Sequence, residues 1–237
     1  MKGILYKLFY GKPEYNKRLK VTAYRSYGIN VRKIWNNERH HDIGFEKILR
    51  LILVSIQLFF PGIHIRNFFG KRGMITRNLA IEFYVLFKTI LPLIFLFTGY
   101  YHHLSAVIIS CYLLIETIVY VSSLIFVSDM FVRPRSYRRN ILMLFLNYME
   151  ISLCFAVIYA GLNLLGDHIP GDHSYAVIDY IYFSIVTSTT IGYGDIHPIT
   201  AVGKMMVCIQ AVMVVAFIVL FLNFFGSKVE TLQNDDE

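Results

Sequence analysis

The chain has 237 residues, of which 56% are hydrophobic and 16% are charged, and its formal net charge at pH 7 is +7. Its mean hydropathy of +0.52 is far above that of a soluble globular domain and predicts a polytopic membrane protein built from helices. This composition excludes a large soluble catalytic domain, and we expect neither an organic cofactor nor a nucleic-acid partner.

Residues 1–47 form a basic segment with eleven lysines and arginines. The positive-inside rule predicts that this segment is cytoplasmic, and we expect no signal peptide before the first apolar run. Two interpretations stay open for the segment. It forms an interfacial helix on anionic lipid, or it is a tail covered by solvent or by a partner.

The apolar run from Ile48 to Ile65 is interrupted by Gln57 and by the Pro61-Gly62 pair. It is shorter than the roughly 20 residues that a membrane span requires, and the stretch that follows it, up to residue 78, is basic. A full crossing would place one of the two basic flanks outside the cell. The pattern therefore predicts an interfacial or re-entrant helix and a basic loop over residues 48–78.

Two longer apolar runs follow and predict a transmembrane hairpin over residues 79–127. The runs extend from Leu79 to Tyr100 and from Leu104 to Val127, and the turn between them contains no lysine or arginine. The basic linker 128–140 is predicted to be cytoplasmic again. The spans contain no ladder of arginines spaced three apart, so strong voltage sensing is not expected.

Residues 141–226 are predicted to form a second membrane unit. Ile141 to Leu165 is an apolar run of spanning length, Tyr175 to Thr189 is a shorter helix, and Val202 to Phe225 is the last span before a short tail, 227–237. Four crossings place both termini in the cytoplasm. Residues 166–203 contain aspartates but no lysine or arginine, which predicts a surface on the outer side that attracts cations.

The segment between the last two spans contains the run Thr189-Thr190-Ile191-Gly192-Tyr193-Gly194-Asp195. Glycines at alternate positions reach backbone dihedrals that residues with a Cβ resist, so successive carbonyls can turn toward one axis. Non-helical backbone is tolerated at membrane depth only where protein buries it or where it lines a water-filled path. Stacked rings of carbonyls can replace the hydration shell of a monovalent cation.

Residues Tyr182 to Thr200, YFSIVTSTTIGYGDIHPIT, resemble the pore helix, filter and outer mouth of the tetrameric potassium-channel family, with isoleucine where valine is commoner. The resemblance covers the pore region, and the N-terminal part of the chain is not recognised. It implies a pore domain over residues 141–226, passive K⁺ conduction, and a place in the plasma membrane or a cell inner membrane. A single filter run per chain implies a homotetramer around a fourfold axis.

The resemblance also implies roles for individual residues. Five backbone carbonyls and one threonine hydroxyl would coordinate K⁺: those of Thr190, Ile191, Gly192, Tyr193 and Gly194, with the hydroxyl of Thr190. Tyr193 and Asp195, with the neighbouring Tyr182, would brace the filter. His197 would form a ring of titratable groups at the outer mouth.

The inner helix departs from the family pattern at Val214, where many members have a glycine at which this helix bends. A bend at mid-helix is therefore not assumed, and the gate lies either lower on the helix or at the filter. Ile218, Leu222 and Phe225 recur at spacings of four and three. This stripe is typical of ordinary helix packing, and it also suits a hydrophobic constriction that closes by dewetting.

Lys88 and Glu116 are charged residues inside consecutive spans. At 1.5 Å per residue their predicted depths differ by only about 3 Å, and an unpaired charge at the bilayer centre is costly. We therefore predict a buried Lys88–Glu116 pair, which either stabilises the hairpin or belongs to a gating element.

The sequence thus predicts a potassium-selective channel subunit that is not strongly voltage-gated. It is not predicted to be an enzyme, because no nucleophile–base pair, metal-ligand cluster or phosphate-binding loop is recognised. Two alternatives stay open: a non-conducting regulatory or receptor-like subunit that retains the pore fold, and a non-selective cation channel. The intact filter run argues against both.

Overall fold

The computed structural model of the protein describes residues 23–36, 44–127, 137–167 and 175–235. Residues 1–22 and 37–43 of the predicted cytoplasmic segment lie outside the described residues, as do residues 128–136 of the predicted linker. Within the described ranges the chain is helical apart from short turns, one two-stranded sheet and the irregular stretch from Thr189 to Asp195.

The α-helices in the described ranges are numbered here in chain order. They are α1 (Ala23–Trp35), α2 (Phe45–Ile56), α3 (Pro61–Gly70), α4 (Met74–Phe97), α5 (Leu104–Phe126), α6 (Tyr137–Gly161), α7 (Val177–Ser188) and α8 (Ala201–Asp235). Short 3₁₀ turns occur at Gln57–Phe59 and Tyr100–His102. The strands β1 (Leu165–Asp167) and β2 (Ile196–Pro198) pair antiparallel.

Among the described residues, four helices are long and apolar enough to cross a membrane. They are α4, α5, residues Arg138–Gly161 of α6 and residues Ala201–Leu220 of α8. The prediction of four apolar helices of spanning length is confirmed. The chain is therefore an integral membrane protein.

Helix α6 ends at Gly161, earlier than hydropathy predicts. Asn163 has a φ of 49°, and the amide of Leu164 donates to the carbonyl of Tyr159 at 3.1 Å. A left-handed residue followed by such a bond is a Schellman cap, which ends a helix and satisfies its last carbonyls. Asparagine adopts this conformation more readily than other residues with a Cβ. The apolar run continues beyond the helix because Leu164 and Leu165 are buried after the cap.

The run predicted as an interfacial or re-entrant helix is broken in the structure. Helix α2 ends at Ile56, a 3₁₀ turn follows, and Phe60 is extended with φ −99° and ψ 147° before Pro61 begins α3. The residue before a proline avoids the helical region, and proline is favoured at the first position of a helix. The direction of the chain changes by 69° between α2 with its 3₁₀ turn and α3. A straight span is therefore absent here, and the interfacial or re-entrant placement stays a prediction.

The described parts of residues 1–86 and 122–132 form one compact unit. Its buried apolar side chains include Ile34 of α1 and, around the bend, Leu53, Val54, Phe60 and Ile63. The amide of Gln57, at the bend itself, accepts from the Tyr27 hydroxyl and donates to the Ser123 hydroxyl. These partners satisfy a polar group that the packing around the bend partly buries.

Residues 87–121 and the described parts of 133–237 form the second compact unit. Every residue from Cys154 to Ala160 is at most 1% exposed, because α6 packs against both α7 and α8. The strand pair β1–β2, in which Gly166 lies opposite His197, joins the chain after α6 to the chain before α8. The segment that contains the predicted filter is therefore held at both ends by this unit.

Candidate functional site

The predicted filter follows directly on α7, and Thr190 forms part of the cap of that helix. Thr190 has a φ of 58°, and its amide donates to the Thr187 carbonyl at 3.1 Å. The Ile191 amide donates to the Val186 carbonyl at the same distance. This is a Schellman cap, and it explains why a threonine adopts a left-handed conformation that costs about 1–2 kcal/mol. The cap fixes the direction in which the filter leaves the helix.

Backbone dihedrals alternate along the filter. Thr190, Gly192 and Gly194 have φ values of 58°, 58° and 81°, whereas Ile191 and Tyr193 do not have positive φ. Alternation between left-handed and ordinary conformations turns successive peptide groups toward one side of the chain. Glycine occupies two of the three left-handed positions, which lowers the conformational cost. The backbone can therefore present a row of carbonyl oxygens to a single axis.

The structure brings Tyr182, Tyr193 and Asp195 together beside the filter. The Tyr182 hydroxyl donates to Asp195 Oδ2 at 2.8 Å, and the rings of Tyr182 and Tyr193 are parallel to within 2° with centroids 6.5 Å apart. The hydrogen bond from Tyr182 lowers the pKa of Asp195, because it stabilises the ionised carboxylate. These are the three residues that the sequence assigns to bracing, and the bracing role itself stays a prediction.

The filter is exposed in the isolated chain. Ile191 is 54% and Tyr193 is 68% exposed, and a Cβ built on Gly192 or Gly194 would have no neighbouring atom within 4 Å. The hydroxyl of Thr190, which the resemblance assigns to K⁺, donates to the Thr189 carbonyl at 2.7 Å. One chain therefore does not supply the surrounding protein that non-helical backbone requires at membrane depth.

His197 lies on β2 opposite Gly166 of β1, and it is half-buried. A Cβ on Gly166 would approach Ile199 to 2.3 Å, so this strand pairing requires glycine at that position. The structure thus holds the predicted outer-mouth histidine on a regular strand, shortly after Asp195. Its effect on ions stays a prediction.

Helix α8 runs without interruption from Ala201 to Asp235, and Val214 is buried within it. The predicted stripe on this helix is only partly described. Ile218 is 51% and Leu222 is 66% exposed, and the side chain of Phe225 lies outside the described residues. Both the packing and the constriction interpretations of the stripe stay open.

The structure brings Lys88 and Glu116 together, as part of a larger buried cluster. Lys88 Nζ lies 3.5 Å from Glu116 Oε2 and 3.2 Å from Glu150 Oε1, and it donates to Thr117 Oγ1 at 2.9 Å. The Thr117 hydroxyl donates to Glu150 Oε1 at 3.0 Å. Two carboxylates from α5 and α6 therefore share one ammonium from α4. The sequence analysis paired Lys88 with Glu116 alone and did not identify Glu150 as a second partner of Lys88.

Sequence reasoning missed a second buried network, at the last turn of α7. Gln210 of α8 is 0% exposed, and its Nε2 donates to the Ser184 carbonyl at 2.9 Å and to Ser188 Oγ at 2.6 Å. Its Oε1 accepts from the Tyr159 hydroxyl at 2.8 Å. The available signal was a glutamine inside an apolar span, together with two serines four residues apart on α7, since polar side chains bond across membrane helices.

Comparison with known proteins identifies the same region of the chain. Residues 143–231 match a protein-family model described as ion channel. The chain is 37% identical over 71 residues to two-pore potassium channel 1 of Arabidopsis thaliana, a match that covers 30% of this chain and 18% of that protein. It is 32% identical over 94 residues to two-pore potassium channel 4 of the same plant, with 40% and 31% covered.

A third relative is two pore potassium channel a of Oryza sativa subsp. japonica, with 39% identity over 57 residues, or 24% of this chain and 16% of that protein. The chain thus spans less than a third of the length of each of these relatives. No solved structure gives a significant match to it. The matched family region contains most of α6, the whole of α7 and nearly all of α8, the helices that hold the exposed filter.

Proposed function

We propose that this chain, whose residues 143–231 belong to the potassium-channel pore-loop family, is a subunit of a channel that conducts K⁺ selectively and passively. This is the same family that the filter run indicated in the sequence analysis. The matching relatives are named as potassium channels, and this chain's filter run, Thr190 to Asp195, lies inside the matched region. K⁺ is the permeant ion in this proposal, which includes no organic cofactor and no catalytic step.

The alternation of φ at Thr190, Gly192 and Gly194 is the observation that supports this function most strongly. A dehydrated K⁺ ion needs several oxygen ligands at once to replace its water shell, and rings of backbone carbonyls provide them. The alternating backbone can present such carbonyls in a row, and the Schellman cap at Thr190 would hold the row at a fixed position relative to α7. Passive conduction follows when neighbouring sites bind the ion comparably.

We further propose that four copies of the chain form the pore. One filter run provides one quarter of each carbonyl ring, and closed fourfold symmetry completes the ring with identical copies. The exposed filter and the exposed apolar face of α8, with Val212 71% and Met205 61% exposed, are the surfaces that such an assembly would cover. Residues that are buried within one chain would keep the same contacts in the assembly.

The proposed channel lies in the plasma membrane or a cell inner membrane with both termini in the cytoplasm. The basic residues before α4 then face the cytoplasmic leaflet, where anionic lipids attract lysine and arginine. The described parts of the four spans contain no arginines at every third position, so steep voltage dependence is not part of the proposal.

The proposal is tested by reconstituting the purified protein in liposomes with a K⁺ gradient and recording K⁺ flux in parallel with Na⁺ flux. Gly192→Ala places a Cβ at a φ of 58°, which strains the filter, and it should abolish the flux or its selectivity. Gly28→Ala is the matched control, because Gly28 has no atom within 4 Å of the added Cβ and no positive φ. It should leave both fluxes unchanged.

Each of the other outcomes overturns part of the proposal. Equal K⁺ and Na⁺ flux in the parent protein indicates a non-selective cation channel. A folded tetramer without flux of either ion under any voltage, pH or lipid condition indicates a non-conducting subunit. Unchanged selectivity in Gly192→Ala contradicts the assignment of the filter.

A further inference from the structure

The carboxamide of Gln210 joins the inner helix α8 to the last turn of α7 from inside the protein. Its Nε2 lies within 3.0 Å of three oxygen atoms of α7, which are the carbonyl and hydroxyl oxygens of Ser184 and the hydroxyl oxygen of Ser188. Its Oε1 accepts from Tyr159 of α6 at 2.8 Å. Both ends of the amide are thus hydrogen-bonded in a site with no solvent exposure.

Ser188, the last residue of α7, is the point where this network converges. Besides the bond from Gln210, its Oγ accepts from the Ser152 hydroxyl at 2.8 Å, and its carbonyl accepts from the Tyr148 hydroxyl at 2.7 Å. Ser152 and Tyr148 belong to α6. The end of α7 is therefore bonded to α6 through two side chains and to α8 through one.

The position of Ser188 connects this network to the filter. Thr189 alone separates it from Thr190, and the Schellman cap of α7 ties Thr190 and Ile191 back to the same turn. A displacement of Ser188 must therefore displace the first carbonyls of the filter. Ion sites of this kind depend on the size of the site and on the number and field strength of its oxygen ligands, and a shift of the first carbonyls changes both.

We propose that Gln210 is a positioning residue that couples the inner helix to the filter, so that its contact with Ser188 sets ion selectivity. This inference rests on the proposed channel function. Helix α8 has no break between Ala201 and Asp235, so a movement of its inner part reaches Gln210 along a continuous helix. The movement then reaches the filter through the hydrogen bond to Ser188, without a bend at Val214.

A structural role alone would give a different pattern. Buried polar networks also stabilise a fold, and in that case the loss of any one bond would lower thermal stability without changing which ions pass. If Gln210 has a positioning role, only the loss of bonds that lie next to the filter changes ion selectivity. The bonds to Ser188 act on the filter, whereas the bond from Tyr159 to Gln210 Oε1 does not touch α7.

Three variants of the full-length channel in liposomes separate the two roles. Gln210→Met keeps the length of the side chain and removes its hydrogen bonds, Ser188→Ala removes the acceptor on α7, and Tyr159→Phe is the matched control. The readouts are the K⁺/Na⁺ flux ratio and the Rb⁺/K⁺ flux ratio, with the melting temperature measured in parallel. Rb⁺ is a slightly larger ion and reports on the size of the sites.

We expect Gln210→Met and Ser188→Ala each to change the flux ratios by about three- to tenfold, the range of a single hydrogen bond. The double variant should show little further change, because both substitutions break the same contact. Tyr159→Phe should keep the parent ratios even where its melting temperature falls. If Gln210→Met does not assemble, Ser188→Ala decides the outcome through the same ratios.

Parent ratios in both Gln210→Met and Ser188→Ala overturn the coupling, and so do equal changes in all three variants. In either case the proposed function stands if the parent protein is selective for K⁺. Absence of K⁺ flux in the parent overturns the proposed function instead, so the two failures are distinguishable.

Discussion

Lys88 Nζ lies 3.2 Å from Glu150 Oε1, closer than the 3.5 Å that separates it from Glu116 Oε2. The lysine thus contacts α6, the helix that packs against α7 and α8, as well as its neighbour in the hairpin. Because Glu150 is 0% exposed, its carboxylate has no access to water and depends on Lys88 and Thr117. Loss of Lys88 would leave two carboxylates at membrane depth without their shared cation.

Lys88→Met is expected to lower the stability of the purified protein by about 3–5 kcal/mol, the usual cost of removing one partner of a buried ion pair. Thermal unfolding in detergent, under the same conditions as the parent, is the measurement. Lys204→Met is the control, because Lys204 is exposed on α8 and should change little. Equal effects of the two substitutions would show that the buried cluster does not stabilise the fold.

The loss should be reversed in two steps. Adding Glu116→Met to Lys88→Met is expected to recover part of the stability, and adding Glu150→Gln as well is expected to recover most of it, since both carboxylates are then removed. A glutamine can still accept from the Thr117 hydroxyl. Strictly additive losses among the three substitutions would mean that these residues are not coupled.

Tyr182→Phe is expected to move the acid-induced loss of K⁺ flux to higher pH. The hydrogen bond from Tyr182 lowers the pKa of Asp195. The stability that this bond gives to the folded filter is therefore present above the unfolded-state pKa of about 3.9, and it is lost as pH falls through the lower folded-state pKa. Without the phenol the carboxylate protonates earlier during acidification. The test is a titration of flux against external pH.

Tyr100→Phe is the control for this titration, because Tyr100 also has a hydrogen-bonded hydroxyl, which accepts from Ser105, and lies outside the filter. Its acid profile should match that of the parent. A Tyr182→Phe profile that also matches the parent would mean that this bond does not hold Asp195 in the conducting state.

His197→Arg is expected to reduce the K⁺ current, because four fixed positive charges near the entrance of a fourfold pore would oppose cations. His103→Arg, in the turn between α4 and α5, is the control and should change the current little. The measurement is K⁺ flux at one fixed external pH. Equal currents in the parent and in His197→Arg would indicate a side chain that only faces solvent.

Cysteine labelling tests the predicted placement of α2 and α3. In a background without the native cysteines, Lys71→Cys should react only with reagents admitted to the cytoplasm, because both flanks of the broken helix pair are basic. His103→Cys should react from the outside. Labelling of Lys71→Cys from the outside would mean that the bent pair crosses the membrane.

Hydropathy and the filter run predict the parts of this protein that local sequence controls. The four long helices follow from apolar runs of spanning length, and the alternation at Gly192 and Gly194 follows from the conformational freedom of glycine. The left-handed Thr190 does not follow, because it arises from hydrogen bonds of the Schellman cap and not from the residue type. The early end of α6 at Gly161, just before the left-handed Asn163, has the same origin.

Contacts between helices are predicted less completely than the helices themselves. The Lys88–Glu116 pair follows from matched depth on consecutive spans, but the approach of Glu150 depends on how α6 rotates about its axis. The same holds for Gln210, whose partners lie on two other helices. Residues of this kind are recognisable in a sequence as polar groups inside spans, and their partners become identifiable only once the helices are packed.

The reversal potential under bi-ionic conditions, with K⁺ on one side of a planar bilayer and Na⁺ on the other, tests the proposed channel function directly. Carbonyl sites formed by Thr190 to Gly194 predict a reversal potential displaced strongly toward that expected for K⁺ permeation alone, and Gly192→Ala should abolish either the current or this displacement. A parent channel that reverses near 0 mV would contradict K⁺ selectivity.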